Sequence, residues 1–109
     1  MPITGAHHTS YTVIDMRTTL KLYRDMLGFK VVNERPEVTN NYFRKIIGFP
    51  DAVVHAVLLE IPGTDHLLEL LEYKIPKGNP QDLTPNNPGS SHICYIVDDL
   101  KAITSRLVE

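Results

Sequence analysis

Nine residues near the start of this chain are echoed near its end. The pattern His8-x-x-Tyr11-x-Val13-x-Asp15-Met16 returns 84 residues later as His92-x-x-Tyr95-x-Val97-x-Asp99-Leu100, and each copy leads into a stretch with helical spacing. Self-similarity at a fixed offset is what a supersecondary unit used twice leaves in a sequence. It predicts pseudo-symmetry before any single side chain is interpreted. The first copy is followed by strand-like runs reaching Tyr73, the second only by a short apolar stripe before Glu109. One complete unit is therefore expected, followed by a second cut short after its first strand and helix.

The local signals assign elements to this plan. Residues 6–14 are rich in Thr, Tyr, Val and Ile, the branched and aromatic types that suit a strand, and Asp15 follows as a helix N-cap. Met16, Leu20, Tyr23 and Leu27 then recur at helical spacing, and Gly28 supplies the stop signal. Residues 29–35 read as a second strand closed by Pro36, and residues 40–47 as a short helical turn ending at Gly48. Residues 53–61 and 66–73 read as a hairpin across Pro62-Gly63-Thr64-Asp65. The span 74–91 holds four of the eight prolines and reads as an irregular linker. Beyond it, residues 92–97 are expected as a strand, and Asp99 as the cap of a helix carrying Leu100, Ile103 and Leu107. The fold class is α+β: a complete β-α-β-β-β module over 6–73, the linker 74–91, and the β-α start of a second module over 92–109. Together they form a single domain, 1–109.

Composition narrows the function classes. A chain of 109 residues with 42% hydrophobic content buries one core. Eleven basic and thirteen acidic side chains give a net charge of −2 with no basic run, which argues against a nucleic-acid partner. No apolar run approaches the roughly 18 residues of a membrane span, and the N-terminus lacks a secretory pattern, so a cytoplasmic protein without a membrane partner is expected. Cys94 is the lone cysteine and reads as a small buried strand residue rather than a nucleophile.

Strand alternation sorts the remaining polar residues, because successive side chains point to opposite faces. His8 shares a face with Ser10, Thr12 and Ile14, and His92 shares one with Cys94 and Ile96. Tyr11, Val13, Tyr95 and Val97 point the other way, toward the helices. Glu69 lies mid-strand with Leu67 and Leu71 on its own face, where a carboxylate is partly desolvated and needs a cation, a metal or a hydrogen-bond donor. Glu72, nearer the strand end, reaches water more easily. His7, His55 and His66 have no repeated counterpart and read as surface or ordinary strand residues. Tyr42, Phe43, Arg44 and Lys45 read as part of a solvated surface turn.

Four segments carry a family resemblance: His8-x6-Asp15, the helix Leu20-Lys-Leu-Tyr-Arg-Asp-Met-Leu-Gly-Phe29, the strand Leu67-Leu-Glu-Leu-Leu-Glu72, and the second opening His92-x6-Asp99. Together they resemble the vicinal oxygen chelate superfamily, which includes glyoxalase I, methylmalonyl-CoA epimerase, extradiol dioxygenases and bleomycin-resistance proteins. The resemblance implies a mixed, curved sheet whose paired modules form a cup around a divalent metal, with ligands from the first and fourth strands of each module. His8, Glu69 and His92 match three of those positions; the fourth would fall 84 residues after Glu69, past Glu109. Two imidazoles and a carboxylate suit Zn, Ni, Co, Mn or Fe.

The activity so implied is lyase or isomerase chemistry on a small-molecule substrate through a metal-stabilised enediolate or enolate, with Glu69 matching the catalytic base. An Fe(II) extradiol-type dioxygenase is one alternative, and a metal-free small-molecule binding module or inactive fragment is another. An incomplete second module also leaves sheet edges and a concave face open, so a homodimer is expected.

Overall fold

Two strands joined by the Pro62-Gly63 turn form the centre of a four-stranded sheet, and their alternation decides which face each neighbour covers. The computed structural model describes residues 2–108, which divide into two compact units at the boundary between Gly78 and Asn79. In the first unit the elements run β1 (His8–Thr12), α1 (Met16–Leu20), a π-helical segment (Lys21–Met26), β2 (Lys30–Val38), α2 (Asn41–Ile47), β3 (Val53–Glu60) and β4 (Leu67–Ile75). The spatial order is β1-β4-β3-β2, with β1 parallel to β4 and the other neighbours antiparallel. This is the expected mixed sheet of a complete β-α-β-β-β module.

One face of the sheet is apolar through its middle. Val57 and Leu59 of β3 and Leu68 and Leu70 of β4 are fully buried, and Met16 and Leu20 of α1 belong to the same core set. Burying each such side chain contributes about 1.5–3 kcal/mol. Asp15 starts α1 as expected: its carboxylate accepts from the amides of Arg17 at 3.0 Å and Thr18 at 3.5 Å and from the Thr18 hydroxyl at 3.1 Å. After Leu20 the helix widens into the π segment, which closes with the Leu27 amide donating to the Leu22 carbonyl at 2.9 Å. Gly28 then turns the chain with φ of 77°, a left-handed value that only glycine adopts without strain. Tyr23 and Phe29 close around this turn with ring centroids 5.4 Å apart. The Tyr23 hydroxyl is held above its ordinary pKa, first by burial and then by the neighbouring Tyr11. Tyr11 pairs with the buried Leu70 and so shares the face that α1 covers, as its place in the alternation predicts.

The opposite face is covered in part by α2. Val38, Ala52 and Val54 form its buried cluster, with Phe43 and Ile47 of α2 and Leu71 and Tyr73 of β4 packed against it. Gly48 ends α2 at φ of 81°.

Two expectations about strands need correction. β2 does not stop at Pro36 but runs to Val38. It is the edge strand, and a register shift lies between Arg35 and Val38, so the missing proline N–H interrupts no ladder that the sheet requires. Residues 92–97 form no strand, because no neighbouring segment among the described residues supplies a ladder for them. Their exposure still alternates, with Ile93 and Tyr95 half-buried and His92, Cys94 and Ile96 exposed. Cys94 is accordingly an exposed free thiol and not a buried strand residue.

In the second unit, α3 (Leu100–Leu107) is capped by Asp99, whose carboxylate accepts the Ala102 amide at 3.0 Å. The proline-rich stretch before it is knitted locally. Asp82 accepts the Thr84 hydroxyl at 2.6 Å and the Thr84 amide at 3.1 Å, and the Ser90 hydroxyl returns to the Thr84 carbonyl at 2.9 Å.

Candidate functional site

β1 and β4 run parallel, and their register pairs Ser10 with Glu69 and His8 with Leu67. Side chains at paired positions share a face, so His8, Ser10, Thr12, Glu69, Leu71 and Tyr73 all project from the side away from α1. The result is a direct approach of two residues 61 positions apart: His8 Nε2 lies 3.6 Å from Glu69 Oε1. Both are partly solvated, with side chains 37% and 28% exposed. The separation exceeds a hydrogen bond, which leaves each group free to engage a ligand atom placed against both.

Neighbouring groups shape this pair. His7 Nδ1 lies 2.7 Å from His8 Nδ1, so one face-on nitrogen of His8 is engaged while Nε2 is turned toward Glu69. The Tyr73 hydroxyl is held above its ordinary pKa, first by burial and then by the charge of Glu69. Phe49 meets the Tyr73 ring edge-on at 6.2 Å. Toward α2 the face is thus aromatic and apolar, and toward β1 it is polar. Tyr73 was legible by counting four residues on from Glu69 along the strand; His7 carried no signal beyond its adjacency to His8.

Of the three expected metal ligands, the structure brings His8 and Glu69 together. His92 belongs to the second unit, on the exposed positions of the unpaired segment 92–97. Among the described residues no group of three or more His, Cys, Asp or Glu side chains is arranged to hold a metal ion. A catalytic zinc keeps three protein donors and a structural one four, so the two donors that the first unit assembles do not by themselves fit a resident divalent metal.

The other polar residues take structural partners. His66 Nε2 meets the Thr9 hydroxyl at 2.8 Å, fastening the start of β4 to β1. Glu72, expected to reach water, instead accepts the Met16 amide at 2.6 Å from the helix face of the sheet. His55 Nε2 pairs with Glu34 Oε2 at 2.7 Å on that same face.

Comparison with known proteins places the chain in a family context. A family model described as the Glyoxalase/Bleomycin resistance protein/Dioxygenase superfamily matches residues 5–109. Among solved structures, the chain is similar to a glyoxalase family protein from Bacillus cereus, with a TM-score of 0.78 at 15% identity over 99% of this chain and 72% of that one. It is also similar to the protein SMU.1112c, with a TM-score of 0.56 at 20% identity over 98% and 74% of the two chains. Methylmalonyl-CoA epimerase from Mycobacterium tuberculosis aligns over 65% of this chain and 39% of its own, with a TM-score of 0.48 at 24% identity. No match was found among curated protein sequences.

Proposed function

Because the chain belongs to the glyoxalase, bleomycin resistance protein and dioxygenase superfamily, we propose that it is a small-molecule binding module whose ligand sits on the sheet face carrying His8 and Glu69. The observation that carries this reading is the 3.6 Å approach of His8 Nε2 to Glu69 Oε1 on a half-solvated face walled by Tyr73 and Phe49. An imidazole N–H donates and a carboxylate accepts. Side by side, they match a ligand that presents a carbonyl next to a hydroxyl: His8 donates a hydrogen bond to the carbonyl oxygen and Glu69 accepts one from the hydroxyl. Apolar substituents of the ligand then pack toward Tyr73. No third donor is needed for this, and no metal.

A second reading is the metal-dependent lyase or isomerase, in which His8 and Glu69 are joined by His92 around a divalent ion. The observation behind it is the same approach of His8 Nε2 to Glu69 Oε1, which is slightly wider than the roughly 3–3.5 Å between two donors about 2.0–2.2 Å from one ion and would have to close on a metal. When bound, such an ion would supply Lewis acidity toward the ligand oxygens. The Fe(II) dioxygenase would draw on the same three residues.

One titration separates the readings. Hydroxyacetone, the simplest vicinal hydroxyketone, is added to isotope-labelled protein in the presence of a chelator, and amide shifts are followed by NMR. The expected result is saturable movement at His8, Ser10 and Glu69 that weakens about tenfold or more in His8→Ala and is unchanged in His92→Ala. Binding that appears only after adding Zn, Ni, Mn or Fe(II), and that is lost in His92→Ala, would replace the module with the metalloprotein.

Pairing of two copies is part of the proposal. The sheet has two edges, and β2 is blunted by Pro36 and two register shifts, whereas β1 contains no proline and no bulge. A homodimer joined along β1 predicts twice the chain mass in light scattering at tens of micromolar. A monomer mass there overturns it.

A further inference from the structure

On the opposite side of the sheet from His8 and Glu69, the apolar rows of the two central strands turn polar. Along β3 the helix-side row reads Leu59, Val57, His55; along β4 it reads Leu68, Leu70, Glu72. Where the charges begin, the sheet and α1 enclose an open cleft of about 320 Å³, floored by the buried Met16 and Leu20. That volume lies at the lower end of what small-molecule sites offer.

The charged groups of the cleft differ in what they already hold. Asp15 is occupied as the cap of α1, and Arg24 pairs with Asp25 at 2.8 Å. Glu72 uses Oε1 on the Met16 amide, and Glu34 uses Oε2 on His55, so the second oxygen of each carboxylate has no hydrogen bond among the described residues, although the Glu34 charge also acts on Arg24. Arg17 and Lys74 also line the cleft; neither side chain has a hydrogen bond or a close ion pair among the described residues, although the Arg17 charge also acts on Asp15. The cleft therefore offers two half-used carboxylates and two cations not held in close ion pairs.

This combination is selective by charge. A simple anion drawn to Arg17 and Lys74 meets the field of Glu34 and Glu72; a simple cation drawn to the carboxylates meets the two basic side chains. A ligand bearing both charges gains from both sets and is opposed by neither. We propose that this cleft binds a small zwitterion of the α-amino-acid type. Its ammonium lies against Glu34 and Glu72 and its carboxylate against Arg17 and Lys74, with its aliphatic side chain toward the open mouth of the cleft. The site is separate from the His8 and Glu69 face and does not depend on what binds there.

The test is an NMR titration of the full chain with L-leucine, run beside isovalerate and isopentylamine, which each carry the same aliphatic group and only one of the charges. Leucine is expected to produce saturable shifts at Arg17, His55 and Glu72 with a Kd of about 1 mM or tighter. The single-charge analogues should bind about tenfold more weakly or worse. Glu34→Gln and Lys74→Met change exposed side chains and leave the core intact; each should weaken leucine at least about tenfold, while His8→Ala should not. Melting curves of the variants confirm that they remain folded. Three results would overturn the proposal: no leucine shift at about 10 mM, equal binding of either analogue, or leucine affinity untouched by both cleft variants.

Discussion

At the scale of single residues, the caps were the most legible feature because their chemistry is local. Asp15 and Asp99 each precede an apolar stripe, and each accepts the amides its position predicts. Asp15 is also held below its ordinary carboxylate pKa, chiefly by the Thr18 hydroxyl and amide. The sign of the linkage follows. A lowered folded-state value means that Asp15 stabilises the fold fully above its unfolded pKa of about 3.9, and that this contribution is lost as pH falls through the folded value. Asp15→Ala should thus lower Tm at pH 7, and the gap to wild type should narrow as pH drops below about 4. Thermal melts of both proteins across that window check it; a gap that stays constant to the acid end would remove the carboxylate's charge from the account. The approach of His8 to Glu69 was a different matter. Alternation put His8 on the face opposite Tyr11 and Glu69 on a face with Leu67 and Leu71, but only strand order and parallel register make them neighbours, and neither is written in the spacing between them.

Elements were legible where their pattern is self-contained and failed where pairing decides. The hairpin of β3 and β4 follows from its turn residues and alternating core, and α2 follows from Gly48 at its end. The end of β2 was misplaced because a proline reads as a stop until the strand is known to be an edge. Residues 92–97 repeat the composition of β1 and still form no strand, since a strand is a relation between two segments and the repeat specifies only one of them. This has a measurable consequence. Amides of β4, bonded on both sides to β1 and β3, should exchange with solvent slowest, and those of 92–97 about a hundredfold or more faster. Hydrogen exchange read at Leu68, Leu70, Ile93 and Tyr95 settles the contrast. Equal protection would mean that 92–97 finds a ladder in solution.

For the molecule as a whole, the first module was readable because every fully buried hydrophobic side chain among the described residues lies in it, from Met16 to Leu70. A core of that kind imposes periodicity, and periodicity is what a sequence displays. The helix-side cleft left no such trace: Glu34, His55, Glu72 and Lys74 come from three strands, and nothing in their order along the chain announces that they converge.

The parallel bond between β1 and β4 has one more implication, for the moment the protein is made. Within the module residues 8–12 are made first, yet their partner strand among the described residues is the last of the module to be synthesised. Residues 8–12 therefore have no β4 to pair with until β2, β3 and β4 have been made, and their pairing is a long-range contact. His8 cannot meet Glu69 before β4 exists, so the candidate ligand site waits on the last strand of the module.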